Sequence, residues 1–238
     1  MNNSYRTESI VLGILLFLGL ATLGYFISKA AYQVKSADRV VTVKGLAEKE
    51  VKADIAIWPI SFKETGNDLL TLNSAIENKS RIIVEFLKKR GFEETDITVA
   101  PPQLKDLDAD QYYNQKTNRF RYIAKSTITV YSKNVDLVRQ SISNLDALIK
   151  QGIALSSDYE DQSQYLYTNL NEIKPEMIEQ ATKNARKSAE KFAEDSGSNL
   201  GKIKRAWQGQ FSISNRDSNT PYIKKVRVVS TLEYFLVD

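Results

Sequence analysis

The sequence predicts an α+β domain behind an N-terminal transmembrane helix, with about three helices packed on a mostly antiparallel sheet. Three observations carry this. A long apolar run near the N-terminus holds no Asp, Glu, Lys or Arg. Beyond it, apolar residues recur with a period of two in some stretches and at steps of three and four in others, the marks of half-buried strands and amphipathic helices. These stretches follow the order ββαββαβαββ with tight joints between most neighbouring strands, which favours an antiparallel sheet with helices against it.

The apolar run is Ser9 to Ser28, closed by Glu8 and Lys29. About 20 residues at 1.5 Å each cross a hydrocarbon core of roughly 30 Å, and a helix there satisfies its own backbone. Tyr5, Tyr25 and Tyr32 stand where interfacial aromatics belong. The alternatives are a buried core helix and a cleaved signal peptide, for which Ser28-Lys29-Ala30 offers small residues. Signal cores run only about 7–15 residues, so the reading taken is an uncleaved anchor. The chain divides into a tail at 1–8, the anchor at 9–28, a linker at 29–38 and a soluble domain at 39–238. Gly13, Gly19 and Gly24 are not four apart, so no small-residue pairing face is expected.

The soluble elements follow in order. Arg39 to Lys44 is a β-branched run, and Val51 to Lys63 places Asp54, Ala56, Trp58, Ile60 and Phe62 on one face. The short segment GLAEKE between them predicts a hairpin. Pro59 cannot donate to a ladder and argues for an edge or a bulge. Asn67 to Arg90 is an amphipathic helix stopped by Gly91. Asp96 to Ala100 is a short strand cut by Pro101-Pro102, and Gln103 to Asn118 is a polar loop or hairpin tip. Arg119 to Tyr131 alternates as a strand, with Phe120, Tyr122, Ala124, Ser126, Ile128 and Val130 together. Asn134 to Lys150 is a helix ended by Gly152, and Ile153 to Tyr167 a partly exposed strand. The third helix starts near Pro175 and ends at Gly197. Its Ala181, Ala185, Ala189 and Ala193 form a stripe that lets a neighbour approach closely. Leu200 to Gln208 and Tyr222 to Val237 are strands joined by a loop.

Composition excludes more than it proposes. The charge is balanced, 33 Lys+Arg against 29 Asp+Glu, which does not fit a nucleic-acid binder. There is no Cys and no His. That removes disulfides, thiol catalysis, thiolate metal sites, and the commonest general base and metal ligand.

With the elements placed, VVTVKGLAEKEVKADIAIW resembles the opening of the SIMPL-domain family, a V-x-V-x-G strand followed by a strand entered through a small residue and Asp. Val41, Val43, Gly45, Ala53 and Asp54 fill those positions, with Ala53 where members often carry Pro. Gly91-Phe92, the Tyr112-Tyr113 segment leading into Arg121-Tyr122-Ile123-Ala124, the alanine-spaced helix and Leu200-Gly201-Lys202-Ile203 follow in order. The resemblance covers residues 39–237. It implies an exported protein at the bacterial inner membrane with a periplasmic or other extracytoplasmic domain. It also implies, for some members, oxidative-stress defence or ring-like homo-oligomers. It carries over no catalytic residue.

Several clusters were candidates for chemistry. Asp106, Asp108 and Asp110 alternate as oxygen ligands of a hard cation would, but the Gly and distal Glu of a calcium loop are missing. Asp158, Glu160 and Asp161 likewise read as solvated. Tyr112 and Tyr113 are the candidate partner contacts, because Tyr anchors interfaces; Tyr159, Tyr165 and Tyr167 fit half-buried sheet positions. A Ser–Lys dyad is neither located nor excluded. No catalytic, cofactor or metal residue is assigned, and a non-enzymatic homo-oligomer without a nucleic-acid partner is expected. An adaptor using the tyrosine-rich segment is the alternative. Lys29, Lys35 and Arg39 after the anchor outnumber Arg6 before it, which alone would keep the domain inside; the resemblance to exported proteins places it outside.

Overall fold

The structure, a computed structural model, describes residues 3–36, 39–109, 120–156, 158 and 161–237. Helix α1 (Asn3–Ser36) contains the apolar span Ile10–Ala30, of mean hydropathy 2.5 and with none of it buried. The rest is α+β, as expected, but its strands form two antiparallel sheets where one was predicted. The chain divides into two units. Unit 1 is Met1–Glu48, Lys174–Phe211 and Arg227–Asp238; unit 2 is Lys49–Ile173 and Ser212–Val226.

Unit 2 is built on β2 (Ile55–Gly66) and β5 (Tyr122–Ser132), paired from Ala56↔Ser132 to Gly66↔Tyr122. β3 (Ile97–Val99) and β4 (Gln103–Asp106) join the far edge of β5, and β6 (Gln164–Leu166) joins β2. β6 covers only Ile55–Ile57, so Pro59 stands where that edge of β2 is open, as its missing N–H requires. Trp58, Ile60 and Phe62 point into a core closed by α2 (Leu69–Arg90) and by α3 (Val135–Ile142) with α4 (Asp146–Ile149). Asp68 caps α2, its Oδ1 accepting from the Thr71 N–H at 2.8 Å. Gly91 closes the helix at φ 99°, in the left-handed region that glycine enters freely. The predicted helix 134–150 is interrupted after Ile142. Among the described residues of the predicted strand 153–167, the pairings are β6 and one bridge, Leu155 to Phe62; few apolar residues alternate there to hold a longer one.

Unit 1 holds the second sheet, in the order β1-β9-β7, from β1 (Val40–Lys52), β7 (Asn199–Gln208) and β9 (Ile223–Val237). β8 (Ser212–Asn215), read as loop from its polar sequence, belongs to unit 2 and pairs with β9, whose first residues Ile223–Val226 also lie in that unit. The predicted β1–β2 hairpin does not form. GLAEKE continues β1 as strand, and the partner of β1 is β9. Val43, Gly45 and Ala47 are buried on one face of β1 while Thr42, Lys44, Leu46 and Glu48 are exposed on the other.

Helix α5 (Leu170–Asp195) begins a turn before Pro175, which stands inside it. Ala181, Ala185 and Ala189 are fully buried, as predicted for a stripe facing the sheet. The reason lies opposite them. A Cβ at Gly45 would stand 1.9 Å from the Ala181 carbonyl oxygen and 2.4 Å from the Ala185 nitrogen. The strand therefore lies directly on the helix backbone, which only glycine facing alanine permits.

Candidate functional site

Four places in the structure gather polar or apolar groups that a function could use. The first is a covered polar cluster on unit 2. Ser61 lies on the opposite face of β2 from Phe62, across from Thr127 of β5. Its Oγ donates to Asp161 Oδ1 at 2.7 Å and is 2.8 Å from Thr127 Oγ1, with Ser61 only 1 % exposed. Lys125 Nζ is 3.1 Å from Asp161 and 3.7 Å from Asp158, which also takes Lys63 at 2.8 Å. The Lys63 ammonium holds the Asp158 carboxyl below its ordinary range. Asp161 Oδ2 is buried without a hydrogen-bond partner among the described residues.

Serine, lysine and carboxylate thus meet, but as a fastening. The Lys125 ammonium is ion-paired with Asp161 and Asp158, and Ser61 is buried beneath the segment that carries Asp161. This corrects the solvated reading of Asp161, whose side chain is buried; Asp158 is exposed, as read, though ion-paired, and Glu160 lies outside the described residues. The cluster was missed because Ser61, Lys63, Lys125 and Thr127 occupy the polar phase of their strands, which normally faces water.

The second place is the base of the β4–β5 hairpin. Arg121 holds Asp106 at 2.8 Å and Asp108 at 3.3 Å, and donates its backbone N–H to Asn67 Oδ1 at 2.9 Å. The Arg121 hydrogen bond keeps the Asp106 carboxyl below its ordinary range. Two of the three alternating aspartates are therefore spent on an arginine; Asp110 lies outside the described residues. So do Tyr112, Tyr113 and Tyr159. Tyr165 is buried edge-on to Tyr222, ring centroids 6.2 Å apart, and burial raises its hydroxyl pKa. The Tyr167 hydroxyl donates to the Asn169 carbonyl. Among the described residues no group of three or more acidic side chains is placed to hold a metal ion.

The third place is an apolar groove of 340 Å³ between α2 and β4, lined by Leu69, Leu70, Leu72, Ile76, Pro102 and Leu104. Leu70 is 80 % exposed there. The fourth is the face of the unit 1 sheet turned away from α5. Leu46 of β1 belongs to it, and Trp207, opposite Thr231 of β9, lies on the same side. They are 41 % and 49 % exposed. Val229 and Phe235 of β9 share that face and are half-buried.

The N-terminal apolar helix has the length and composition of a membrane anchor or a signal sequence, and the rest of the chain is α+β with two antiparallel sheets. The family model described as SIMPL, protein of unknown function (DUF541), matches residues 41–229. This chain belongs to the SIMPL family. No curated protein matches it. Two residues on which the sequence resemblance rested now have physical roles. Gly45 permits the strand–helix contact. Asp54 accepts hydrogen bonds from the Thr168 and Asn169 N–H groups and the Thr168 hydroxyl, at 2.8, 3.0 and 3.1 Å, fastening the start of β2 to the approach to α5.

Proposed function

We propose that this protein is a membrane-anchored, non-enzymatic module of the bacterial cell envelope whose domain lies outside the cytoplasm and self-associates into a ring-like homo-oligomer. Oxidative-stress defence is the setting the family resemblance supplies. The observation that carries the reading is the set of apolar side chains exposed on the unit 1 sheet face turned away from α5. α5 covers one side, and the other offers Leu46 and Trp207 beside the half-buried Val229 and Phe235. Exposed aromatic and aliphatic side chains on a sheet face are what an interface core is made of.

The test is the mass of the full-length protein extracted in detergent, read by sedimentation or single-particle imaging. A defined oligomer that falls to monomer in Trp207→Glu and Leu46→Glu supports the reading; a monomer at high concentration overturns it. Orientation is tested separately. Protease added to spheroplasts digests everything after Lys29 if the domain is outside, and full protection until lysis places it inside.

The groove beside Leu70 favours a second reading, an adaptor that takes a partner on unit 2. Loss of that partner in Leu70→Asp, with the oligomer mass unchanged, would select it.

A further inference from the structure

On the anchor reading of α1, the short connection to β1 limits how far the Val40 end of unit 1 can lie from the lipid. The apolar span ends at Ala30 and the helix continues to Ser36, a further rise of about 9 Å. Residues 37–39 then lead to Val40, a reach of at most about 14 Å at full stretch. The headgroup layer itself occupies about 5–7 Å on each side. The Val40 end of the sheet is thus held within about 17 Å of the headgroups, and nearer for any tilt.

That end is composed of several elements brought level. The Leu236 N–H of β9 donates to the Arg39 carbonyl at 2.9 Å. β7 starts there, with Asn199↔Val237 and Leu200↔Leu236 as its first pairs. The Arg39 guanidinium donates to Ser198 Oγ at 3.1 Å, in the short turn that leads from α5 into β7. The last turn of α5 therefore ends at the same rim. Two large apolar side chains are exposed on these elements, Val237 at 47 % and Phe192 at 62 %. Lys202, three positions into β7, is exposed with them.

We propose that this rim docks on the lipid surface, with Val237 and Phe192 in the interfacial layer and Arg39 and Lys202 toward the headgroup phosphates. The inference rests on reading α1 as an uncleaved anchor, and goes beyond it by assigning a second, peripheral membrane contact to the folded domain. Apolar side chains beside cations are the composition of an interfacial contact; the exposed Glu194 and Asp195 of the same helix turn are neutralised by Lys191 at 3.1 and 2.8 Å, and the tether keeps the surface near enough that weak affinity suffices. The contact also fixes how the strands stand. The Gln208 end of β7 is carried about 30 Å away from the rim, nine residues along the strand.

The chain has no native cysteine, so single labels are clean. Val237→Cys, Phe192→Cys and Gln208→Cys, each in the full-length protein, are labelled with a thiol-reactive fluorophore and placed in nanodiscs whose phospholipid carries a spin label near the headgroup. Quenching several-fold stronger at 237 and 192 than at 208 is expected. Equal quenching at the three sites, or none at 237 and 192, overturns the proposal. Co-elution of protein with the nanodisc is read in the same sample. Protein that elutes apart from the disc refutes the anchor and the docking together; protein that co-elutes without quenching at the rim refutes the docking alone.

Discussion

The two units are stabilised in opposite ways. Unit 2 fills its core with volume: Phe62, Ile83, Leu87, Ile128 and Leu148 are all fully buried, and they interdigitate between a sheet and helices. Unit 1 has a small core of Val43, Ala185, Ala189, Leu232 and Tyr234, and gains contact by bringing backbones together at Gly45. Each loses stability by a different kind of change. A bulky core loses by subtraction, since a removed side chain leaves a cavity. A close-approach core loses by addition, since an added methyl has no space.

The comparison can be broken or sharpened by substitution, because each unit carries one of the two tryptophans: Trp58, buried in unit 2, and Trp207, exposed in unit 1. The largest effect is expected from Phe62→Ala, which should cost about 3–5 kcal/mol. It is read from Trp58 emission on denaturation in a Trp207→Phe background. An unchanged midpoint would show that unit 2 does not depend on that volume. Ala185→Leu comes next, at about 1–3 kcal/mol through overpacking against β1, read by thermal melting. An unaltered melting temperature would show that the stripe has room. Ser61→Ala should cost about 1–3 kcal/mol, because buried Asp161 loses a donor while its other oxygen already lacks one. Asp161→Asn in the same background should recover part of the loss if the undersatisfied carboxylate is the cause.

The smallest effect is electrostatic. The folded Asp106 carboxyl is held below its ordinary range by Arg121. Its contribution is present above the ordinary carboxylate range and is lost as pH falls through the lowered folded value. Both side chains face solvent, so the dependence should be slight and screened by salt. An acid melting series of wild type against Arg121→Gln checks it; identical acid profiles would remove the pair from the account.

What was legible in the sequence follows the same division. β2, β5 and β9 each bury one face under bulky side chains, so their period of two was plain, and α2 announced itself by stripe and stop. β1 was cut short because Gly45 and Ala47 have the look of a turn, whereas here their smallness is what a strand under a helix requires. Its second half is further held by Arg227 to Glu48 and Arg216 to Glu50, pairings far apart in sequence that no local pattern displays. The division into two units was invisible because β1, α5 and β9 each run through it unbroken. Of the candidate sites, the aspartates after Pro102 were seen but their arginine was not. Ser61 was hidden, since nothing in a strand's polar phase tells that a later segment will cover it. Tyr112 and Tyr113 stand out by residue type alone and lie outside the described residues.

Two glycines mark the extremes of what this fold asks of the residue. At Gly91 a side chain would meet nothing within 4 Å, and the constraint is the positive φ alone; asparagine, which tolerates that region, is an acceptable second choice. At Gly45 the first obstacles are main-chain atoms of α5, which no rotamer change can clear. The one position is a preference and the other a prohibition. A substitution library at 91 should therefore return a graded series of survivors, while one at 45 should return the parent and little else, a blank that marks the line where strand and helix touch.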